Sequence, residues 1–268
     1  MRISSPSNEK IKQVVLLNTK ASARRKQKQY IIEGIRMYEE VPEEDLVATY
    51  VSEKYYEEVI KVQKISNEAM KRLKKRDYYI VADNVFKSMS DTVTPQGIMA
   101  IVRQKEYQLE DILKQRENGV IIVLESLQDP GNLGTILRTG EGAGIAGIIM
   151  NKETVDIYNP KVIRSTMGSL YRVPFVVTED LEETLDKLSE KNVTIFGAHL
   201  KGSEYYTEGL YKGLVAFLIG NEGNGLSEHI SNKAHKLIKI PMEGKVESLN
   251  AAVAASILMY EAKRQGLK

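Results

Sequence analysis

Three short segments rich in glycine, asparagine and proline constrain the fold of this chain most strongly. Each follows directly after an aliphatic run, and the segments are 129–138, 218–226 and 240–251. An aliphatic run that ends in such residues predicts a buried strand followed by a loop. Ligands of open α/β sheets bind at the carboxyl ends of the strands. We therefore expect three loops to meet at one edge of a sheet and to form a binding site.

The order of the remaining patterns predicts an α/β fold in two parts. From residue 120 onward, strand patterns alternate with helix patterns, which predicts a mainly parallel sheet with helices on both faces. In the first hundred residues, helix patterns and strand patterns alternate in shorter segments, which predicts a smaller α/β unit. The segment between them is charged, with few apolar residues, and predicts a linker that becomes a surface helix. The predicted boundaries are 1–105, 106–119 and 120–268.

Composition excludes several classes of protein. The 268 residues include no cysteine, which excludes disulfides and thiolate metal sites and agrees with a reducing cytoplasm. The three histidines lack the spacing of metal ligands. The chain has no apolar leader and no uncharged run of roughly 18 residues, the length that a membrane span requires. We expect a cytoplasmic protein without a membrane segment and without a metal.

Positive charge is concentrated near the start of the chain, although the net charge is only +2. Residues 1–30 contain eight lysines and arginines against one acid, Glu9, and a second basic run lies at 71–76. One such run is usually a solvated helix face, but two runs together favour a polyanion such as RNA as a partner. The candidate RNA contacts in the first run are Lys10, Lys12, Arg24, Arg25, Lys26 and Lys28.

One apparent motif does not predict a function. Gly142, Gly144 and Gly147 match the dinucleotide-binding pattern G-x-G-x-x-G letter for letter. That pattern requires a strand before it and a helix after it, so that phosphate meets a helix N-terminus. Here a helix pattern precedes the glycines and a strand pattern follows them, so we interpret them as a helix end and a turn.

Each residue of the three loops has a plain structural interpretation. Asn132 could cap the helix that follows the first loop, and Arg138, inside that helix, could simply face solvent. Ser248 or Asn250 could cap the last helix. Three glycines around Glu222, however, suit a backbone that approaches a ligand closely. It is the combination of the three loops that indicates a functional site.

This combination resembles the SpoU (TrmH) group of SPOUT-class RNA methyltransferases. Three motifs carry the resemblance, in the expected order: Asn132-x-Gly134-x-x-x-Arg138-Thr139, Gly220-Asn-Glu-Gly-Asn-Gly225, and Ile240-Pro-Met with Ser248-Leu-Asn250. The first hundred residues also resemble the substrate-binding domain that often accompanies this family, through Tyr30-Ile-Ile-Glu-Gly34 and Asp91-Thr-x-Thr-Pro-Gln-Gly97.

The resemblance implies a fold and an activity. It implies a deep trefoil knot, a homodimer with the site near the subunit interface, and methyl transfer from S-adenosylmethionine to a ribose 2′-hydroxyl of RNA. It implies catalytic roles for Arg138, Asn132, Glu222, Ser248 and Asn250. It implies cofactor contacts at Gly197, Ala198, Ile219, Gly220, Leu226, Ile240 and Leu249. A less specific family segment, 164–168, suggests that Arg164 faces the RNA.

Alternatives remain open on substrate and on activity. The favoured substrate is large-subunit (23S) ribosomal RNA, and the alternatives are a tRNA 2′-O-methyltransferase or a non-catalytic RNA-binding factor in ribosome assembly. The presence of Arg138, Glu222 and Asn250 argues against a non-catalytic protein. Because a guanidinium keeps its proton, we expect Arg138 to stabilise a developing alkoxide and to hold phosphate, and not to act as a general base.

Overall fold

The computed structural model describes residues 1–114, 118–208 and 211–266. The chain folds into two compact units. The N-terminal unit comprises 1–105 together with 158–171, and the C-terminal unit comprises 106–157 and 172–268. The predicted boundary at 105 coincides with the end of the first stretch, but segment 158–171, which the sequence prediction placed in the C-terminal domain, belongs to the N-terminal unit.

The N-terminal unit contains a five-stranded mixed sheet with strand order β1-β4-β3-β5-β2. Its strands are β1 (Arg2–Ile3), β2 (Gln29–Glu33), β3 (Leu46–Ser52), β4 (Tyr78–Val81) and β5 (Ile98–Arg103). Its helices are α1 (Glu9–Thr19), α2 (Ala21–Gln27), α3 (Ile35–Glu40), α4 (Glu53–Tyr55), which continues into a π-helical turn, α5 (Asn67–Lys75), α6 (Asp83–Met89) and α9 (Pro160–Thr166). Strand β5 runs antiparallel to β2 and β3, whereas β3, β4 and β1 are parallel.

Helical periodicity explains how the N-terminal unit forms its core. Ile11, Val14 and Leu17 recur every three residues on α1 and are buried, and they pack with Phe86 of α6 in one apolar cluster over the sheet. Ser66 caps α5 by accepting a hydrogen bond from the backbone N–H of Ala69 at 3.1 Å, as its sequence position predicts.

The C-terminal unit contains a seven-stranded sheet in which all pairs are parallel, with strand order β10-β12-β9-β11-β6-β7-β8. Its strands are β6 (Gly119–Leu124), β7 (Gly147–Asn151), β8 (Phe175–Thr178), β9 (Thr194–Ala198), β10 (Glu204–Tyr205), β11 (Leu214–Ile219) and β12 (Lys236–Lys239). Its helices are α7 (Leu109–Leu113), α8 (Pro130–Ala143), α10 (Leu181–Glu190), α11 (Glu228–Asn232) and α12 (Ala251–Arg264).

Helices cover both faces of this sheet. On one face, Leu185 and Leu188 of α10 and Ile230 of α11 pack against apolar side chains of β6 and β11. On the other face, α12 packs along α8 and over β6 and β11. The predicted fold class, a parallel sheet with helices on both faces after a smaller α/β domain, is confirmed. The trefoil knot stays a prediction.

The predicted linker is more than a surface segment. Ile112 of α7 is fully buried in the core of the C-terminal unit, so this short helix contributes to packing. Residues 115–117 of the predicted linker lie outside the described part of the chain. Within the described ranges, no helix combines the length and the apolar character that a membrane crossing requires.

Candidate active site

Side-chain hydrogen bonds join the three predicted loops at the carboxyl edge of the C-terminal sheet. In the loop after β11, Oε1 of Glu222 accepts from Nδ2 of Asn132 and from the backbone N–H of Asp129, both at 2.9 Å. Its Oε2 accepts from the backbone N–H of Gln128 at 3.0 Å. Asn132 Oδ1 in turn accepts from Nδ2 of Asn250 at 2.8 Å. Asn132, Glu222 and Asn250, three of the predicted catalytic residues, therefore form one continuous network.

The starts of two helices determine the direction of this network. Asn250 caps α12, because its Oδ1 accepts from the N–H groups of Ala252 and Val253 at 2.9 and 3.2 Å. Its Nδ2 is thus directed to Asn132. The cap of α8 is Asp129, whose Oδ1 accepts from the N–H of Asn132 at 2.8 Å. The interpretation of Asn132 as a cap was therefore wrong, and its amide is available to connect Asn250 with Glu222.

The environment of Glu222 favours its ionised form. Partial burial by itself would raise the pKa of the Glu222 carboxyl, but the hydrogen bonds from Gln128, Asn132 and Asp129 outweigh that effect and lower the pKa below its usual value. The carboxylate is therefore an acceptor that holds the first loop against the second.

The glycine-rich loop folds tightly on itself. The N–H of Asn221 donates to the carbonyl of Gly225 at 3.0 Å, and the N–H of Gly225 donates back at 2.9 Å. A Cβ on Gly220 would lie 2.1 Å from the backbone carbon of Gly225, so a side chain cannot be accommodated there. The sequence prediction attributed these glycines to the approach of a ligand; at Gly220 the close neighbour is the loop itself.

A pocket of about 340 Å³ lies beside the network. Of the predicted cofactor contacts, six line it: Ala198, Ile219, Gly220, Leu226, Ile240 and Leu249. Ser248 and Glu222 also lie on its wall. Gly197 is not among the lining residues, and a Cβ at this position would meet Leu237, Ala234 and the pocket-lining Leu226. The sequence prediction missed His199, Lys201, Met242 and Ala254, which also line the pocket.

Arg138 lies apart from these residues within one chain. It is exposed on α8 and is not among the pocket-lining residues, whereas Asn132 of the same helix is buried. Six residues of α-helix correspond to a rotation of about 240°, so the two side chains leave the helix in different directions. A single chain thus assembles the network and the pocket without Arg138.

The predicted RNA contacts of the N-terminal unit divide into two groups. Arg24 is only 3% exposed, and its guanidinium donates to the carbonyl of Leu17 at 2.7 Å and to that of Asn18 at 3.2 Å. It connects α1 and α2, so its prediction as an RNA contact was wrong. Exposed cations remain at Lys10, Lys12, Arg25, Lys26 and Lys28. Arg164 forms an ion pair with Asp91 at 3.0 Å.

The second basic run also serves the fold in part. Arg72 of α5 donates to the backbone carbonyls of Tyr38 and Val41, and Arg76 donates to those of Glu43 and Leu46. These arginines anchor the helix to neighbouring segments. The charge count alone therefore overstates the surface that is open to a polyanion.

Comparison with known proteins identifies the family. Residues 119–260 match the SpoU rRNA Methylase family, and residues 8–100 match the MRM3-like substrate binding domain. The chain belongs to the SpoU rRNA methylase family. The predicted activity, that of an RNA ribose 2′-O-methyltransferase, is confirmed.

Individual members of the family resemble this chain over nearly its whole length. The 23S rRNA (guanosine(2553)-2′-O)-methyltransferase RlmP of Bacillus subtilis strain 168 is 30% identical over 259 residues, covering 97% of this chain and 98% of the relative. The AdoMet-bound rRNA methyltransferase of Sinorhizobium meliloti is 26% identical with a TM-score of 0.85, covering 100% and 99%. The SpoU methyltransferase AviRb of Streptomyces viridochromogenes, in complex with AdoMet, is 25% identical with a TM-score of 0.84, covering 96% and 98%.

Proposed function

We propose that this enzyme methylates a ribose 2′-hydroxyl of large-subunit ribosomal RNA, with S-adenosylmethionine as the donor, and that it acts as a homodimer. The observation that carries this proposal is the hydrogen-bonded network of Glu222, Asn132 and Asn250 beside an aliphatic pocket. The name of the Bacillus relative supports the choice of RNA.

The pocket fits the proposed donor. Its volume lies in the range of about 300–1,000 Å³ that is typical of small-molecule sites, and Ile219, Ile240 and Leu249 provide aliphatic walls suited to an adenine ring. S-Adenosylmethionine, when bound, supplies a methyl group that is activated by the adjacent sulfonium. Two structural neighbours contain AdoMet, which supports the assignment.

The residues of the site then have distinct tasks. Glu222 and Asn250 hold Asn132 from opposite sides and so fix the start of α8, on which Arg138 lies. The Arg138 guanidinium can stabilise the alkoxide that develops on the ribose and hold an RNA phosphate, while the hydroxyl proton passes to solvent or to a phosphate of the substrate. Ser248, on the pocket wall, offers a hydroxyl to the bound molecules.

A second copy of the chain would bring Arg138 to a pocket. Arg138 is exposed on α8, and Val253 and Tyr260 of α12, the helix that packs along α8, are 47% and 50% exposed. Val253 and Tyr260 lie seven residues apart, about two turns along the same face of α12. Exposed apolar side chains on one helix face favour burial against another protein surface. We place the subunit interface there, so that Arg138 of one chain serves the pocket of its partner.

Mixed dimers test this arrangement. One chain carries Arg138→Ala and the other carries Leu249→Arg, which places a charge in the pocket; each homodimer should be inactive in labelled methyl transfer to large-subunit ribosomal RNA. The mixture should regain activity, since one pocket then has both a functional wall and the partner's arginine. A mixture as inactive as its parents, although mixed dimers form, would refute the shared site. Labelling of transfer RNA in preference to ribosomal RNA would refute the proposed substrate.

A further inference from the structure

Ser126, in the loop after β6, has an unusual backbone conformation. Its φ is +55°, in the left-handed region that residues with a side chain adopt infrequently. Such a conformation persists when neighbouring groups hold it in place. Ser126 therefore marks a turn that the rest of the C-terminal unit must stabilise.

Asn151, at the end of β7, supplies much of this support. Its Oδ1 accepts from the backbone N–H of Ser126 at 2.8 Å, and its Nδ2 donates to the Ser126 hydroxyl at 3.0 Å. Thr154 fixes the Asn151 amide by donating its hydroxyl to the same Oδ1 at 2.8 Å. The amide thus holds both the backbone and the side chain of Ser126.

The turn at Ser126 controls the groups that face Glu222. Gln128 and Asp129 follow within three residues, and their N–H groups donate to the two oxygens of the Glu222 carboxylate. The Ser126 carbonyl also accepts from Nδ2 of Asn221 at 2.8 Å, in the same loop as Glu222. A rotation of the backbone at Ser126 would therefore move the donors and the acceptor of the network at once.

We propose that Asn151 is a positioning residue for the methyl-transfer site: it holds the left-handed turn at Ser126 so that Gln128 and Asp129 present their N–H groups to Glu222. The inference rests on the role of Glu222 in the proposed function. Asn151 lies one loop away from the pocket, is absent from its lining, and acts only through Ser126.

The test combines three variants with two measurements. Asn151→Ala removes the support, Ser126→Gly permits the left-handed turn without support, and the double variant joins both changes. Lys152→Ala, an exposed neighbour, is the control. The first measurement is the titration of the Glu222 carboxyl by NMR in ¹³C-glutamate protein without RNA or cofactor, assigned by its loss in Glu222→Gln. The second is kcat for methyl transfer.

Asn151→Ala should raise the Glu222 pKa toward its usual value and lower kcat about 10- to 100-fold, the cost of a small misplacement in a catalytic site. The double variant should recover part of the lost kcat and part of the change in the Glu222 pKa. Asn151→Asp keeps the acceptor for the Ser126 N–H but loses the donor to the Ser126 hydroxyl, so its kcat should lie between those of Asn151→Ala and the wild type. An unchanged Glu222 titration in Asn151→Ala would overturn the inference. If Asn151→Ala shifts the Glu222 titration but leaves kcat unchanged, Asn151 does position the donors to Glu222. That result would refute the importance of Glu222 for catalysis, which belongs to the proposed function.

A folding defect would not leave the inference untested. If Asn151→Ala does not fold, Thr154→Val removes only the hydroxyl that fixes the Asn151 amide, and the same two measurements apply with smaller changes. No change in the Glu222 titration of a folded Thr154→Val protein would then count against the inference, and a rise would support it.

Discussion

Among single residues, Glu222 shows most clearly how hydrogen bonding sets the properties of the site. Two backbone N–H groups and one side-chain amide face its oxygens, and they lower its pKa in the folded protein. The folded state therefore holds the ionised carboxylate more strongly than the unfolded chain does. This stabilisation is present above the unfolded pKa, near 4.5, and is lost as the pH falls through the lower folded pKa.

Glu222→Gln should separate this contribution from those of other acids. Because the variant cannot ionise, the wild type should lose more of its free energy of unfolding than the variant between pH 7 and pH 3, as measured by urea unfolding at each pH. At pH 7 the variant should also lose methyl transfer on the order of 10²-fold, since its NH₂ group would face an N–H donor and displace the loop. Glu228→Gln, at an exposed position of α11, is the matched control. Parallel pH curves for wild type and Glu222→Gln would contradict the expectation.

The sequence allows prediction of the chemistry of these residues but not of their conformations. Asn132, Glu222 and Asn250 stand out because each follows a strand pattern within a family motif, and the structure brings them together. Asp129 as the cap of α8 has a sequence signal that the prediction overlooked, because Pro130 follows it at the first helical position. The left-handed turn at Ser126 has no such signal, because serine usually avoids a positive φ.

At the scale of elements, strands that come from long apolar runs could be predicted from the sequence, whereas very short strands could not. The unbroken apolar run 214–219 predicts a fully buried parallel strand, and β11 has these same bounds. The short stretch 62–65 also predicts a strand, through Val62 and Ile65, but this prediction is wrong: the stretch forms turns, with Gln63 at a φ of +56°. Strand β10, only two residues long, has no apolar pattern to reveal it.

Helix α2 shows the same limit for charge, because Arg24 is buried whereas its neighbour Arg25 is exposed. Arg25→Ala, at an exposed position, should weaken RNA binding and reduce the slope of log affinity against log salt by about 1. Arg24→Ala should leave that slope unchanged but lower the free energy of unfolding by about 1–3 kcal/mol, since two backbone carbonyls lose their donor.

Fluorescence anisotropy with a ribosomal RNA fragment at several salt concentrations measures the first effect, and urea unfolding measures the second. Each variant is thus the control for the other. A larger change in the salt slope for Arg24→Ala than for Arg25→Ala would show that charge count, and not exposure, selects the RNA contacts.

For the whole molecule, the main departure from the sequence prediction is segment 158–171. The match to the family runs continuously from residue 119 to residue 260, so it does not separate this segment from its neighbours. In the structure this segment belongs to the N-terminal unit. The rings of Tyr158 and Tyr30 pack together with their centroids 4.5 Å apart, and the Tyr158 hydroxyl donates to the carbonyl of Lys105 at 3.1 Å. The chain therefore passes between the two units three times.

This connectivity changes the expected result of a truncation. A division at residue 105 predicts that 106–268 keeps the cofactor pocket after removal of the first domain. In that fragment, however, Val162, Ile163 and Leu170 would lose the unit in which they are buried, at about 1.5–3 kcal/mol for each side chain. We expect the simple fragment to aggregate or to unfold at low urea concentration.

A second fragment identifies the cause. Replacing 158–171 in the fragment by a Gly/Ser linker of equal length removes the uncovered apolar side chains and leaves every strand of the C-terminal sheet in place. This version should unfold cooperatively and bind S-adenosylmethionine in calorimetry, while both fragments should lose RNA affinity with the N-terminal cations. A simple 106–268 fragment as stable as the linker version would mean that segment 158–171 folds without the N-terminal unit. The C-terminal domain would then be contiguous in sequence after all, and the contacts of Tyr158 would add little to its stability.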